Sequence, residues 1–286
     1  MVVGRPLFSV LVANFNSEKY IDDCIKSVIS QTYENWELIF LDDGSTDHSI
    51  EIIQNYANYE SRIKIFTNDT NKGCGFTKRK CIDLCSGEIC GFLDSDDLLA
   101  ESALQIMIDH HSDNPNSSLI ISNFYICDEL LVHKQPNIYQ FKDSKDFLLI
   151  GFGVNHFASF KRSCYMQTLG INTAFMLAED RDLYLKLEEV GTVDLIDDFL
   201  YYYRLSQNSV SNNQNVYKAE YWGWMARFDA CKRRGLVEEE IFSLISKLRF
   251  KNLMSGMVGQ RSFRSRAQSK FKKWKGFILN AKNMLY

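Results

Sequence analysis

Two clusters of acidic residues have the composition of a metal and phosphate site. They are Asp42-Asp43-Gly44-Ser45 and Asp94-Ser95-Asp96-Asp97, and each directly follows an apolar run of strand-forming residues. Carboxylates gathered in one place repel one another and raise one another's pKa values unless a cation compensates them. Mg²⁺ or Mn²⁺ provides that compensation, with one or two carboxylates, phosphate oxygens and water as its ligands. The clusters therefore predict a divalent metal ion that also binds a diphosphate.

A purely structural role explains the two clusters unequally. Asp42 to Ser45 alone is equally typical of an Asp-Gly turn followed by a helix cap. Three carboxylates within the four residues Asp94 to Asp97 have no comparable structural use. The sequence has no P-loop lysine motif and no G-x-G-x-x-G after its first apolar run. The usual ATPase and dinucleotide sites are therefore disfavoured.

The elements that precede the clusters indicate a parallel sheet. Residues 8–12 and 36–41 are nearly continuous apolar runs, typical of strands that are covered on both faces. Helical spacing between them predicts a crossover helix, with Asn16 or Ser17 as its N-cap. The apolar positions of that helix are Tyr20, Cys24, Ile25, Val28 and Ile29.

The same alternation continues along the chain. The further predicted elements are a helix over 50–56, a strand over 63–66, a helix over 77–85, a strand over 89–93, a helix over 102–111, a strand over 119–127 and a helix over 180–190. Repeated βαβ units predict an α/β fold with an open, mostly parallel central sheet flanked by helices. Ligands of such sheets bind at the carboxyl ends of the strands, which is where both acidic clusters lie.

The chain divides into a catalytic part and a helical C-terminal part. We predict a catalytic domain over 1–215, with a nucleotide-binding half over 1–100 and an acceptor half over 101–215. Residues 216–286 are predicted as a helical region that ends in a basic amphipathic tail. No Gly/Ser-rich linker separates the parts, so one compact unit is expected.

Four motifs give the chain a specific resemblance. They are Asp42-Asp43-Gly44-Ser45-Thr46-Asp47, Asn71-Lys72-Gly73, Phe92-Leu93-Asp94-Ser95-Asp96-Asp97 and Ala178-Glu179-Asp180-Arg181-Asp182-Leu183. In this order they resemble the inverting glycosyltransferases of family 2, of the kind that act in bacterial surface polysaccharide synthesis. The resemblance covers roughly Leu7 to Ser211 and implies the GT-A fold, a divalent metal ion and a nucleotide-diphosphate sugar as donor.

The resemblance also implies roles for particular residues in donor binding. The first loop would line one side of the nucleotide-base site, and Asp42 or Asp43 would contact the base or ribose. Asp94 and Asp96 would form the DXD motif that holds Mn²⁺ or Mg²⁺. A cation at Lys78, where similar enzymes often carry arginine, would neutralise the departing diphosphate. The nucleotide-binding residues implied are Ala13, Asn14, Phe15, Asn16, Asp42, Asp43, Lys78, Asp94 and Ser95.

The catalytic base is implied at Glu179-Asp180. Asp180 would take the proton from an acceptor hydroxyl as that hydroxyl attacks the anomeric carbon. Structural alternatives remain for both charged positions: Asp180 as the cap of the helix that follows it, and Lys78 as part of a solvated helix face, with Arg79 and Lys80 as other candidate cations.

Two positions depart from the family pattern. Ala13 stands where the first loop usually has proline, and Ser206 stands where a late loop often has the histidine that helps hold metal or diphosphate. Arg204 is a candidate substitute. His156, Phe157 and Arg204 are candidate acceptor contacts, although core packing is the more ordinary role for an aromatic side chain.

Composition and charge limit the partners. The net charge is −3, yet residues 261–286 carry three Arg and five Lys and no acid, so the rest of the chain is acidic and nucleic-acid binding is disfavoured. Phe263, Phe271, Trp274 and Ile278 follow helical spacing within that tail. A basic amphipathic helix is typical of docking to an anionic membrane surface, although packing on this chain or in a homodimer is the alternative.

The location and class of the protein are expectations from these patterns. The sequence shows no signal peptide and no apolar stretch of membrane-spanning length, so a cytoplasmic protein, peripheral on the inner face of the cell membrane, is expected. The eight cysteines are expected to be reduced thiols.

The leading hypothesis for the function is sugar transfer from a UDP-sugar to a glycan or lipid-linked acceptor, with GDP and dTDP sugars as other possible donors. The alternatives are a sugar nucleotidyltransferase and a catalytically silent carbohydrate-binding scaffold.

Overall fold

A computed structural model describes residues 4–138, 157–205, 216–243 and residue 246. The chain forms two compact units, Met1–Gly235 and Leu236–Tyr286. The strands and helices named below belong to the first unit, and in the second unit residues 238–243 are helical. The basic tail over 261–286 lies outside the described residues.

The described residues form one nine-stranded sheet. Its strand order is β3-β2-β1-β4-β8-β6-β9-β5, with β7 paired to β6. The strands are β1 (Phe8–Asn14), β2 (Trp36–Asp42), β3 (Ile63–Thr67), β4 (Ile89–Phe92), β5 (Leu98–Leu99), β6 (Ser117–Cys127), β7 (Lys134–Asn137), β8 (Ala158–Lys161) and β9 (Thr192–Arg204).

Helices flank the sheet and connect its strands. They are α1 (Ile21–Ile29), α2 (Ser49–Ala57), α3 (Cys74–Leu84), α4 (Ala103–Asp113), α5 (Arg162–Tyr165), α6 (Glu179–Glu188) and α7 (Val216–Arg233). Within the described residues, no helix is both long enough and apolar enough to cross a bilayer. All eight cysteines are free thiols, as expected.

Two predicted helix starts are wrong. Neither Asn16 nor Ser17 caps α1: Tyr20 is its N-cap and makes no side-chain capping bond with a described residue. The Ser17 hydroxyl instead contacts the hydroxyl of Ser95. Helix α3 begins at Cys74, three residues before the predicted start, because Gly73 turns the chain there with a φ of 91°.

The predicted α/β class is confirmed, and the two halves of the sheet differ in strand direction. In the first half, β1 pairs in parallel with β2 and β4, and β2 pairs in parallel with β3. All residues of β2 and β4 are buried, as expected of parallel strands covered by helices. In the second half, β8 runs antiparallel to both β4 and β6, and β9 runs parallel to β6. The mostly parallel pattern therefore holds for the first half, and the second half is mixed.

The predicted domain boundary at 215/216 stays a prediction. In the structure α7 lies within the compact unit Met1–Gly235, and ion pairs join its C-terminal end to the C-terminal end of α6. Arg233 Nε lies 2.9 Å from Glu189 Oε2, and Arg234 Nη2 lies 2.8 Å from Glu188 Oε2. Helix α7 is therefore an integral part of the unit that carries the acidic clusters.

A buried carboxylate of β2 connects that strand to its neighbours near their amino-terminal ends. Glu37 of β2 accepts hydrogen bonds from the Ser9 hydroxyl of β1 (2.6 Å) and from the Ser86 backbone N–H before β4 (2.6 Å), and it pairs with Lys64 of β3 (2.6 Å). Burial alone would raise its pKa, but Lys64, Ser9 and Ser86 outweigh burial and lower the pKa of Glu37 to about 2. This network holds together the edge opposite to the acidic clusters.

We expect Glu37→Gln to destabilise the fold in a pH-dependent way. The folded-state pKa of about 2 lies below the ordinary value of 4.5, so the stabilisation is full above pH 4.5 and is lost as pH falls through 2. Its size is roughly 1–3 kcal/mol at pH 7. Urea unfolding of both proteins between pH 3 and 7 measures the difference. The exposed Glu34→Gln variant serves as control. If the difference in unfolding free energy between the wild-type chain and Glu37→Gln stays constant from pH 3 to pH 7, the network is contradicted.

Candidate active site

Three loops meet at the carboxyl ends of β1, β2 and β4. The backbone N–H of Asn16 donates to the Ser45 hydroxyl (2.8 Å), and the Asn16 side-chain oxygen accepts from the Thr46 N–H (2.8 Å). The Ser17 hydroxyl lies 2.7 Å from that of Ser95. The loop after β1 therefore contacts both acidic clusters, as the parallel sheet predicts.

The first acidic pair fastens the surrounding loops. Asp42 is buried and accepts hydrogen bonds from Asn14 Nδ2 (2.8 Å), Ser45 N (2.8 Å) and Ser45 Oγ (2.6 Å). Asp43 is also buried and accepts from Asn68 Nδ2 (2.8 Å) and from the N–H groups of Lys72 (2.9 Å) and Gly73 (2.8 Å). Both carboxylates therefore hold the surrounding loops in place through hydrogen bonds, and their contact with a nucleotide stays a prediction.

The first loop presents one large ring to solvent. Phe15 is 46% exposed, while Ala13 is half-buried and Asn14 is buried. Asn16 is exposed and adopts a positive φ of 51°, which Asn tolerates better than most residues. Of the four predicted residues in this loop, Phe15 and Asn16 are therefore the ones accessible to a ligand.

The second acidic cluster contains one fully buried carboxylate and two half-buried ones. Asp97 is fully buried and accepts hydrogen bonds from the Tyr201 hydroxyl (2.8 Å) and the Arg204 N–H (2.7 Å). Asp94 and Asp96 are only half-buried. Burial first, and the charge of Asp94 second, raise the pKa of Asp96 to about 6. Two carboxylates that disfavour each other's charge fit a site for a cation.

No complete set of metal ligands is preformed in the part of the chain that the structure describes. There, no group of three or more His, Cys, Asp or Glu side chains is placed to hold an ion. A hard divalent ion that takes two carboxylates and completes its shell with phosphate oxygens and water fits this arrangement. The assignment of Asp94 and Asp96 as its oxygen donors stays a prediction.

The ammonium group of Lys78 connects the acidic turn to the predicted base. Its Nζ donates to Asp180 Oδ2 (2.7 Å) and Oδ1 (2.9 Å), reaches Glu179 Oε1 (3.4 Å) and lies 3.7 Å from Asp94 Oδ1. The side chain is 5% exposed. Burial disfavours its charge, but the carboxylates outweigh burial and raise the pKa of Lys78 well above its usual value. Lys78 is therefore a buried, charged centre of the site.

The neighbouring cations point elsewhere. Arg79 donates to the Ile171 carbonyl (3.1 Å) and Lys80 to the Asn68 side-chain oxygen (2.7 Å). Of the three consecutive basic residues, Lys78 is therefore the one directed at Asp180, and it does not belong to a solvated helix face.

Asp180 does not cap helix α6, and its role as a base stays a prediction. Helix α6 begins at Glu179 with Ala178 as N-cap, and no described side chain bonds to that cap. The Asp180 side chain keeps 23% exposure. Burial raises its pKa to about 6; Lys78 opposes this shift, and Glu179 and Asp94 add to it. A carboxylate that titrates near neutral pH and remains accessible is suited to general base catalysis.

Two predicted acceptor contacts are contradicted. Phe157 is fully buried, 6.0 Å from the Tyr201 ring and 6.4 Å from the Phe8 ring, so it is a core residue. The Arg204 guanidinium is engaged by the protein: it donates to the carbonyls of Asp96 (2.8 Å) and Glu129 (2.7 Å) and to Asp23 Oδ2 (3.0 Å). Arg204 thus holds the acidic turn from behind. His156 and Ser206 lie outside the described residues.

Sequence reasoning missed the strand that supports the acidic turn. Strand β9 carries Tyr201, whose hydroxyl bonds to Asp97 and accepts from the Asp94 N–H at 3.2 Å. The signal was present in the apolar, aromatic run Phe199-Leu200-Tyr201-Tyr202-Tyr203, which is typical of a strand.

Comparison with known proteins gives a family and a fold. Residues 9–169 match the family "Glycosyl transferase family 2". The chain is 33% identical to chondroitin synthase of Escherichia coli over 201 residues, which are 68% of this chain and 28% of that enzyme. It therefore spans less than a third of that relative's length.

Two solved structures share the fold at low identity. S. aureus TarS (residues 1–349) in complex with UDP-GlcNAc is 18% identical, with a TM-score of 0.59 over 77% of this chain and 65% of TarS. The mannosyltransferase PcManGT of Pyrobaculum calidifontis in complex with GDP-Man and Mn²⁺ is 13% identical, with a TM-score of 0.58 over 92% of this chain and 83% of that one. Because the family match covers more than half of the sequence, the chain belongs to glycosyl transferase family 2, with the GT-A fold of these enzymes.

Proposed function

We propose that the protein is an inverting glycosyltransferase that moves a sugar from a nucleotide-diphosphate donor to a hydroxyl of a glycan or lipid-linked acceptor. One observation carries the proposal: the Lys78 ammonium contacts Asp94 of the acidic turn and Asp180 of α6 at once. These two residues lie far apart in sequence, and a donor-binding carboxylate and a base must face each other across the reacting carbon. The contact through Lys78 supports that arrangement.

The donor is proposed from the loops and the relatives. Phe15 is available to cover a nucleotide base, and TarS and PcManGT were solved with UDP-GlcNAc and GDP-Man. We propose a UDP-sugar for this chain. Asp94 and Asp96 would hold Mn²⁺ or Mg²⁺, an ion that when bound offsets the charge of the leaving diphosphate.

The proposed reaction is a single displacement at the anomeric carbon. Asp180 accepts the proton of the acceptor hydroxyl while the hydroxyl oxygen forms its bond to the anomeric carbon. The bond from that carbon to the diphosphate oxygen breaks on the opposite face, and the electron pair leaves with the nucleoside diphosphate. One displacement inverts the configuration, so no covalent sugar–enzyme intermediate is needed.

Lys78 has two effects in this reaction. Its hydrogen bonds to both oxygens of Asp180 fix the orientation of the base, and its positive charge beside Asp94 lies on the donor side, where negative charge develops on the departing phosphate. Because Lys78 is buried, that charge is little screened by solvent.

The acceptor and the location stay proposals. The relatives include chondroitin synthase and a putative teichuronic acid biosynthesis glycosyltransferase, which favours a surface polysaccharide as acceptor. Membrane docking by the basic tail, a cytoplasmic location on the inner membrane face and a homodimer are proposed from the sequence alone. Family membership disfavours the nucleotidyltransferase, and the connected Asp94, Lys78 and Asp180 disfavour a silent scaffold.

Asp180→Asn should separate binding from transfer. The substitution keeps the shape of the side chain and removes the proton acceptor, so we expect unchanged affinity for UDP with Mn²⁺ and a loss of roughly 10²- to 10⁴-fold in transfer. Calorimetry measures the first and release of UDP from UDP-sugars in the presence of acceptor measures the second. Asp113→Asn, on an exposed helix end, is the control. Full transfer by Asp180→Asn would remove Asp180 from the mechanism.

Asp96→Ala should abolish the metal-dependent part of donor binding. With one of two carboxylate donors gone, we expect Mn²⁺ to raise UDP affinity in the wild-type chain and to leave it nearly unchanged in the variant. Calorimetric titration of UDP with Mn²⁺ and with EDTA measures this, with Asp109→Ala as the control. An undiminished Mn²⁺ effect in Asp96→Ala would refute the metal assignment.

A further inference from the structure

The hydroxyl of Tyr201 joins the two ends of the acidic turn, which consists of residues 94–97. Tyr201 lies on β9 and is fully buried. Its hydroxyl donates to Asp97 Oδ2 (2.8 Å) and accepts from the Asp94 N–H (3.2 Å). One side chain of β9 therefore contacts both the first and the last residue of the turn.

Arg204, the last residue of β9, holds the same turn at its third and fourth residues. Its backbone N–H donates to Asp97 Oδ1 (2.7 Å), and its Nε donates to the Asp96 carbonyl (2.8 Å). The rest of the guanidinium group binds other elements: Nη1 donates to the Glu129 carbonyl (2.7 Å) and Nη2 to Asp23 Oδ2 of α1 (3.0 Å). The Arg204 side chain is 4% exposed. It is therefore fixed in one orientation behind the turn.

Only the guanidinium group of arginine is suited to these contacts. It presents its N–H groups as a rigid planar fork, whereas lysine has a single nitrogen on a flexible stem. Three acceptors from three different elements are bound by this one fork. The guanidinium of Arg204 also lies over the Tyr20 ring, with 4.9 Å from Cζ to the ring centroid, a contact that favours a cation.

A carboxylate that binds a metal ion must be held in direction as well as in position. The Asp96 side chain takes its direction from the backbone of the turn, and Arg204 and Tyr201 fix that backbone by hydrogen bonds. Groups that orient metal ligands without touching the ion typically change metal affinity by roughly 10- to 100-fold. The end of β9 is placed to act in this way.

We propose that Arg204 and Tyr201 are positioning residues for the metal ion. They fix the direction of the Asp94 and Asp96 carboxylates, and so set the concentration of Mn²⁺ or Mg²⁺ that donor binding requires. The inference rests on the proposed function, because it presupposes the metal ion assigned to these two carboxylates. It adds a second control of metal affinity, from a strand that carries neither acidic cluster.

The charge of Arg204 and its hydrogen bonds predict opposite effects on metal binding. A cation behind the acidic turn repels a divalent ion, so loss of the charge alone would tighten Mn²⁺ binding. Loss of the hydrogen bond to the Asp96 carbonyl would weaken Mn²⁺ binding instead, because the turn would be less well fixed. Arg204→Gln removes both and therefore shows which effect is larger.

The test is a calorimetric titration of the full chain with UDP at increasing Mn²⁺ concentrations. It is made at pH 8, above the raised pKa of Asp96 of about 6. We expect Arg204→Lys, Arg204→Gln and Tyr201→Phe to need roughly 10- to 100-fold more Mn²⁺ than the wild-type chain for the same UDP affinity. Excess Mn²⁺ should restore the UDP affinity of these variants, because both carboxylate ligands remain. It should not restore that of Asp96→Ala.

Arg62→Lys is the matched control for a purely structural role. Arg62 likewise binds a carboxylate and a carbonyl, those of Glu60 (2.6 Å) and Glu34 (3.0 Å), and its Cζ lies 3.8 Å from the centroid of the Trp36 ring. It precedes β3, at the edge of the sheet opposite to the acidic clusters. Arg62→Lys should therefore lower the free energy of unfolding in urea and leave the Mn²⁺ requirement unchanged.

Two results would overturn the proposal. One is a wild-type Mn²⁺ requirement in both Arg204→Lys and Tyr201→Phe. The other is tighter Mn²⁺ binding by Arg204→Gln than by the wild-type chain. If circular dichroism shows that the Arg204 variants do not fold, Tyr201→Phe decides, because it removes one hydroxyl and keeps the ring.

The wild-type chain separates this inference from the proposed function. If its UDP affinity does not depend on Mn²⁺, the metal ion of the proposed function is contradicted, and the positioning role with it. If its UDP affinity depends on Mn²⁺ and the variants show the same dependence, the positioning role alone is contradicted.

Discussion

The site depends on a buried positive charge that compensates three carboxylates. Removing an ammonium or a carboxylate from water is costly, and the cost is recovered only where the opposite charges are close and well oriented. Lys78 meets that condition, with Asp180 at 2.7 Å, Glu179 at 3.4 Å and Asp94 at 3.7 Å. Its ammonium also lies 5.4 Å from the Phe92 ring. Without Lys78, the end of β4 and the start of α6 would repel each other.

The cost of burying a charge also distinguishes the acidic residues of the site from one another. Asp42, Asp43 and Asp97 are buried and satisfied by hydrogen bonds from backbone and side chains, so they fix loops. Asp94, Asp96 and Asp180 keep some exposure, and burial raises the pKa values of Asp96 and Asp180. A carboxylate that keeps some exposure can still reach a metal ion or a proton, and these three are the ones to which we assign such roles. The acids that fix loops differ from them in burial.

Much of this could be predicted from the sequence because it depends on local patterns. Apolar runs placed β1 and β2, and the parallel crossovers between them brought both acidic clusters to one edge. Arg204 and Phe157 were assigned wrongly because their surroundings come from strands β8 and β9, which pair with distant segments. The ion pairs between the ends of α6 and α7 were equally invisible, since they require the packing of one helix against the other. Local periodicity gives the faces of an element but not the partner that covers them.

Helix α6 is held at both of its ends. Asp180, in its first turn, accepts hydrogen bonds from Lys78 of α3, and Glu188 and Glu189 at its other end pair with Arg234 and Arg233 at the end of α7. A rigid helix transmits the position of one end to the other, so the packing of α7 helps to fix where Asp180 lies relative to Asp94. The arrangement around Lys78 therefore depends on contacts with a helix that carries none of the acidic motifs.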